Sequence, residues 1–255
     1  MRLNAIDEGP TGAADTLVLL CSLGSTVEMW APQRAALRDE LRVVTLDTRG
    51  HGGSPVPDGP YAVADLGADV LETLDDLGVT RAAFAGVSLG GAIAQWIGRS
   101  APDRVSALAL VSTSARFGDP EPWHERAAAV RAGGSGAVAD AVVARWFTGP
   151  YAAAEPATVE AMRAMIADTP AEGYASCCEA IAGWDAVGAL GSISVPTLVV
   201  SGAEDPATPP SHGEVLAAGI PGARFEVVDD AAHLASYQRP EIVTPLIREH
   251  VKGRV

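Results

Sequence analysis

The chain has 255 residues, 48% of them hydrophobic, and its 32 acidic against 18 basic residues give a net charge of -14. That balance excludes a general affinity for nucleic acid or for an anionic membrane, and it repels an acidic substrate at long range unless a local cation intervenes. The length allows one large α/β domain or two small ones.

The opening residues, "MRLNAIDEGPTG", lack the apolar core of a signal peptide, and no apolar run approaches a membrane span, so a cytoplasmic location is the default expectation. "DTLVLLCSLG" (15 to 24) is a short apolar run that ends in a Gly/Ser loop and reads as a buried strand. "MWAPQRAALRDEL" has helical spacing through Trp30, Leu37 and Leu41, after which "RVVTLDTRGHGGS" (42 to 54) repeats the strand-then-loop design. Val63, Leu66, Val70, Leu74 and Leu77 then keep a 3.6-residue period, which predicts an amphipathic helix ended by Gly78. A strand in "RAAFAG", a helix opening at Ser88 and a strand in "VSALALVST" (105 to 113) follow.

Residues 119 to 192 break this alternation, because they hold no strand-like run. "AVADAVVARWF", with Val138, Val142 and Trp146, and "ATVEAMRAMIA", with Val159, Met162 and Ile166, read as helices. The expected organisation is therefore a core of residues 1–118 and 193–255 interrupted by a helical cap at 119–192. Two further strands, "VPTLVVSG" (195 to 202) and "ARFEVVDD" (223 to 230), flank a helix near 211 to 218, and a last helix runs from about 238 to 251. Strands alternating with helices predict an α/β fold whose mostly parallel central sheet has helices on both faces.

Three cysteines, two of them adjacent at Cys177 and Cys178, imply no disulfide framework. The five histidines show no metal-ligand spacing, so neither a metal nor a cofactor is expected. In a parallel sheet the loops after different strands meet along one edge. That edge would gather Ser88 of "GVSLG", Asp205 of "AEDPATPP" and His233 of "DDAAHL", and the chain order Ser, Asp, His is the one that accompanies a nucleophile elbow. Gly86 and Gly90 give the elbow its steric room, His233 would take the serine proton, and Asp205 would fix the imidazole tautomer. Glu204, Asp229 and Asp230 are rival acids. The oxyanion donors would be the backbone N–H groups of Leu23 and Leu89. His51 reads as a turn residue, and His212 and His250 as surface positions on helices.

"DTRGHGGS", "GVSLGG" and the Ser, Asp, His order together resemble the α/β-hydrolase superfamily over nearly the whole chain. Within it, "CSLGSTVEMWAPQ", "STSARFGDPEPWHER", "RWFTGPY", "EGYASCCEAI" and "SGAEDPATPP" resemble the 3-oxoadipate enol-lactonases of aromatic-acid catabolism. The resemblance implies Ser88, Asp205 and His233 as the catalytic triad, a helical cap, and a small acidic lactone as the partner molecule. Cys21, Val87, Leu89 and "HLASYQRP" depart from the usual pattern around the pocket. An acidic lactone needs a cation: Arg116, just after a strand's carboxyl end, is the candidate, with Trp123 and Trp146 as apolar walls. Arg126, Arg131 and Arg145 are its runners-up, and the competing role for Arg116 is an ion pair that fastens cap to core. Another esterase, lactonase or C–C hydrolase, natural-product enzymes included, or a non-catalytic small-molecule receptor, would fit the same scaffold. The oligomeric state is left open.

Overall fold

Seven runs pair into one sheet in the computed structural model, which describes residues 1 to 10 and 15 to 253. They are β1 (Ala5–Glu8), β2 (Thr16–Leu20), β3 (Arg42–Leu46), β4 (Ala82–Val87), β5 (Val105–Val111), β6 (Thr197–Gly202) and β7 (Arg224–Val228), in the order β1-β3-β2-β4-β5-β6-β7. Every residue of β2, β4, β5 and β6 is buried, as a strand covered on both faces requires. The six strands from β2 onward pair in parallel, so their carboxyl ends share one edge. Only β1 is antiparallel, on the outside of β3.

The helices of the core are α1 (Ala31–Leu37), α2 (Val63–Asp76) and α3 (Leu89–Ser100). Between β5 and β6 the chain forms α4 (Glu121–Gly133), α5 (Gly136–Val143), α6 (Gly149–Ala154), α7 (Pro156–Ala167) and α8 (Ala171–Ala182). The last part of the chain adds α9 (Pro210–Gly219), α10 (Ala235–Gln238) and α11 (Pro240–Val251). The helix expected to run through Trp146 stops at Val143, because the carbonyls of Arg145 and Trp146 accept from the amides of His233 (3.4 Å) and Leu234 (2.9 Å). That pairing ties the helical segment to the loop after β7. His250 was expected at the surface, yet it is buried on α11, with Nε2 3.3 Å from the Pro196 carbonyl at the start of β6.

Candidate active site

β4 ends at Val87 and α3 begins at Leu89, so the whole reversal from strand to helix falls on Ser88. Its backbone has φ 56 and ψ -114, outside the regions an L-residue prefers, and this stores strain at the turn. The flanking glycines permit it for two distinct reasons. A Cβ on Gly86 would strike the Gly90 carbonyl, whereas a Cβ on Gly90 would strike the Leu20 carbonyl at the end of β2. The first contact closes the elbow on itself, as the sequence predicts; the second lets α3 start directly against the neighbouring strand.

The loop after β6 brings Asp205 to the same edge, and the loop after β7 brings His233. His233 Nδ1 lies 2.9 Å from Asp205 Oδ2, and both residues are buried. Thr208 Oγ1 donates to the same carboxylate oxygen at 2.7 Å and sits 3.3 Å from His233 Nδ1. The other oxygen, Oδ1, accepts from the amides of Ala207 (2.8 Å) and Thr208 (3.0 Å). Burial pushes the Asp205 carboxyl up, but the charge and hydrogen bond of His233 and the bonds from Thr208 outweigh it and hold it below the ordinary aspartate value. The rival acids are elsewhere: Glu204 and Asp229 are exposed, and Asp230 pairs with Arg239.

Gln238 fixes the histidine loop from behind. Its Oε1 accepts from the amides of Ala232 (3.1 Å) and Thr148 (3.3 Å), while Nε2 donates to Asp230 O (2.8 Å) and Thr148 Oγ1 (2.7 Å). One buried amide thus joins the loop that carries His233 to the segment that leads into α6.

The loop after β2 completes the edge. The Ser22 amide points at Met29 Sδ (3.2 Å) and the Gly24 amide donates to His51 Nε2 (2.9 Å). Among the described residues no acceptor takes the Leu23 amide between them. Leu89 opens α3, where first-turn amides lack an intrahelical acceptor. Both positions suit a developing negative charge.

His51 does more than the turn role expected of it. Its Nδ1 lies 3.2 Å from Arg49 O, so a proton there leaves Nε2 free to accept from Gly24. Burial lowers its pKa to about 4, which keeps the ring neutral. Since the folded value lies below the ordinary 6.5, the stability from this neutral ring is full above pH 6.5 and is lost as the pH falls from 6.5 to about 4. The loss over that window is about 3 kcal/mol. Urea titrations at the two pH values should show a larger fall in stability for the wild type than for His51→Gln, whose amide does not titrate.

A cavity opens over the elbow, lined by Ser22, Leu23, Ser88 and His233 on the sheet side. Trp123, Arg126, Val142, Arg145, Trp146 and Tyr174 face them from the helical segment, with Phe117, Ala207 and Thr208 at the sides. Trp123 and Trp146 are both among its lining residues. Arg116 is not: its guanidinium is 56% exposed, Nη1 lies 3.8 Å from Asp185 Oδ2, and the two residues form an isolated antiparallel bridge. The Ser114 hydroxyl, which accepts from the Arg116 amide and donates to its carbonyl, fixes this turn. Arg116 therefore pairs with a residue of the helical segment, the contact that the competing reading describes.

Arg131 is likewise occupied, by Glu172 and Glu179. The cations of the cavity are Arg126, with Cζ 4.6 Å over the Trp123 ring, and the half-buried Arg145. Among the described residues neither forms an ion pair with a carboxylate. Burial, and then the nearby charge of Arg126, push the Arg145 pKa down. Tyr174, Phe117 and Thr208 escaped the sequence reading. Thr208 lies three residues past Asp205 in a turn, a spacing at which a hydroxyl reaches back to a carboxylate, and that signal was available.

Comparison with known proteins follows the same lines. The profile described as "alpha/beta hydrolase fold" matches residues 15–240. Among curated relatives, 3-oxoadipate enol-lactonase 2 of Acinetobacter baylyi is 38% identical over 239 residues, covering 93% of this chain and 89% of that one. 3-Oxoadipate enol-lactonase 1 of the same organism is 38% identical over 245 residues, with 96% and 91% covered. Among solved structures, the enol-lactonase from Burkholderia xenovorans LB400 superposes with a TM-score of 0.95 at 42% identity, covering 97% of this chain and 95% of that chain. A thermophilic esterase from Thermogutta terrifontis, solved with malate bound, superposes at 0.91 with 32% identity over 97% and 92% of the two chains. The chain belongs to the α/β-hydrolase fold family.

Proposed function

We propose that the protein is a serine hydrolase that opens a small carboxylated enol-lactone, 3-oxoadipate enol-lactone, to 3-oxoadipate through an acyl-enzyme. The reading rests on one observation: a single cavity has Ser88 and His233 on one wall and two guanidiniums without a carboxylate partner, Arg126 and Arg145, on the other. The similarity to enol-lactonases over nearly the whole chain, the helical segment included, supports it. The helices from α4 to α8 act as the cap that carries the anion-binding wall.

The chemistry then runs as follows. Ser88 Oγ attacks the ring carbonyl while His233 Nε2 takes its proton, and Asp205 holds the proton of Nδ1 and stabilises the imidazolium. The tetrahedral oxyanion lies on the amides of Leu23 and Leu89. Collapse breaks the ring C–O bond and expels an enolate, a far better leaving group than an alkoxide, which takes a proton and tautomerises to the ketone. His233 then activates water, which adds to the acyl carbon and releases Ser88. The cavity's aromatic walls suit the flat ring.

The substrate arm is an anion in a chain of net charge -14, so its binding rests on the local cations. Arg126→Ala should raise KM for the acidic lactone by about 10- to 100-fold, the worth of a charge-assisted hydrogen bond. It should leave α-angelica lactone, a neutral enol-lactone with the same ring, nearly unaffected. The reading as a whole is tested by adding purified protein to 3-oxoadipate enol-lactone and following the loss of its ultraviolet absorbance. No loss, or faster turnover of an aryl ester or of a ring-cleavage product by C–C hydrolysis, would overturn it. Tight binding without turnover would favour a receptor.

A further inference from the structure

The phenol of Tyr174 lines the cavity, and the proposed reaction gives its chemistry no role. The residue sits on α8 and is fully buried. Its ring is packed from both sides: it stacks on His51 with centroids 6.5 Å apart, and a Cβ on Gly24 would lie 2.9 Å from its Cε2. The hydroxyl oxygen is buried with the Arg126 guanidinium as its hydrogen-bonding neighbour, and among the described residues no acceptor takes its proton.

Arg126 and Arg145 are the charged side chains beside it, and both act on its titration. Burial outweighs them and pushes the phenol's pKa well up, so the hydroxyl keeps its proton across the working pH range. Guanidinium groups only donate, so neither arginine can accept that proton. Arg126 can donate to the phenolic oxygen, so what lacks a partner among these three groups is the phenolic proton. A buried O–H proton left without an acceptor is a standing penalty, which an acceptor supplied by a ligand would remove.

We propose that Tyr174 is a substrate-contacting hydrogen-bond donor that gives its phenolic proton to the carboxylate arm of the substrate, between Arg126 and Arg145. The inference rests on the reading of the cavity as the site of a small acidic lactone. It adds a neutral donor to the two cations, and with it a directional requirement that charge alone does not impose: the arm must present an oxygen to the phenol.

Tyr174→Phe removes one oxygen and keeps the ring. The expected result is a KM for 3-oxoadipate enol-lactone raised about tenfold with kcat unchanged, the pattern of an interaction made equally in ground and transition states. Both constants for α-angelica lactone should stay the same, and the melting temperature should change little, because the phenolic proton has no protein acceptor and Arg126 keeps its contact with the Trp123 ring. Unchanged constants for the acidic lactone would overturn the proposal. So would an equal loss on both lactones with a lower melting temperature, which is the mark of a structural hydroxyl. Should the wild type open neither lactone, the enol-lactonase reading fails separately, and the tyrosine is then judged by calorimetric binding of adipate to Ser88→Ala and to Ser88→Ala/Tyr174→Phe. Tenfold weaker binding to the double variant supports the donor role; equal binding refutes it.

Discussion

Ser88→Ala should lower kcat for the enol-lactone by about 10⁶-fold, with the residual rate still about 10³-fold above that in water because the oxyanion donors and the binding wall remain. Binding should survive, since the hydroxyl contributes nothing to Arg126, Arg145 or the aromatic walls. The elbow should survive too. Its positive φ is permitted by the close approach of Gly86 to Gly90 and of Gly90 to Leu20, and the serine oxygen plays no part in either. Calorimetry on Ser88→Ala with the intact lactone should therefore give the affinity of the Michaelis complex directly. A variant that still turned over at a tenth of the wild-type rate would remove the serine from the mechanism.

Asp205→Asn should be nearly as damaging to turnover, by about 10⁴-fold in kcat, and here the geometry dictates the reason. The amides of Ala207 and Thr208 both donate to Oδ1, so the carbonyl oxygen of an asparagine is held at that position. Its amide nitrogen must then take the place of Oδ2, 2.9 Å from His233 Nδ1. An N–H aimed at Nδ1 forces the imidazole proton onto Nε2, which leaves no base for Ser88. Thr208 Oγ1 can turn to accept from the new amide, so the fold should tolerate the change. Paired kinetics and thermal melting on the purified variant should show lost turnover with a melting point close to that of the wild type. A large fall in melting point would show that the carboxylate chiefly fastens the β6 and β7 loops together.

The sheet and the three residues on its carboxyl edge were legible because their signals are local and strong. Short, wholly apolar runs mark buried parallel strands, and "GVSLGG" couples a serine to glycines that only a tight turn requires. β1 was missed because four residues with mixed burial and no alternation carry no such signal; its pairing with β3 makes it a strand. Helix α5 ends three residues before the apolar spacing does, since that spacing continues to Trp146 while the backbone there is claimed by the histidine loop.

The substrate wall was harder to read for a related reason. Arg116 stands just past β5, where chain position favours a ligand contact, yet the Ser114 turn and Asp185 carry its side chain away. Arg126 was distinguishable in principle. It lies three residues after Trp123 on one helix, a spacing that sets a guanidinium over an indole face, and the pair reaches the cavity together. Tyr174 had no such mark, because on α8 it shares its buried face with Cys177, Cys178 and Ile181, and periodicity does not separate a core tyrosine from one that borders a cavity. Tertiary placement alone makes the difference.

The central claim, that Ser88 is the nucleophile of a lactone-opening site, is tested most directly by inactivation with diethyl p-nitrophenyl phosphate followed by peptide mapping. The account predicts that activity falls in step with one diethylphosphoryl group per chain, that the group is on Ser88, and that the enol-lactone slows its attachment. Undiminished lactone opening by protein fully modified at Ser88, or inactivation that tracks modification elsewhere, would contradict it.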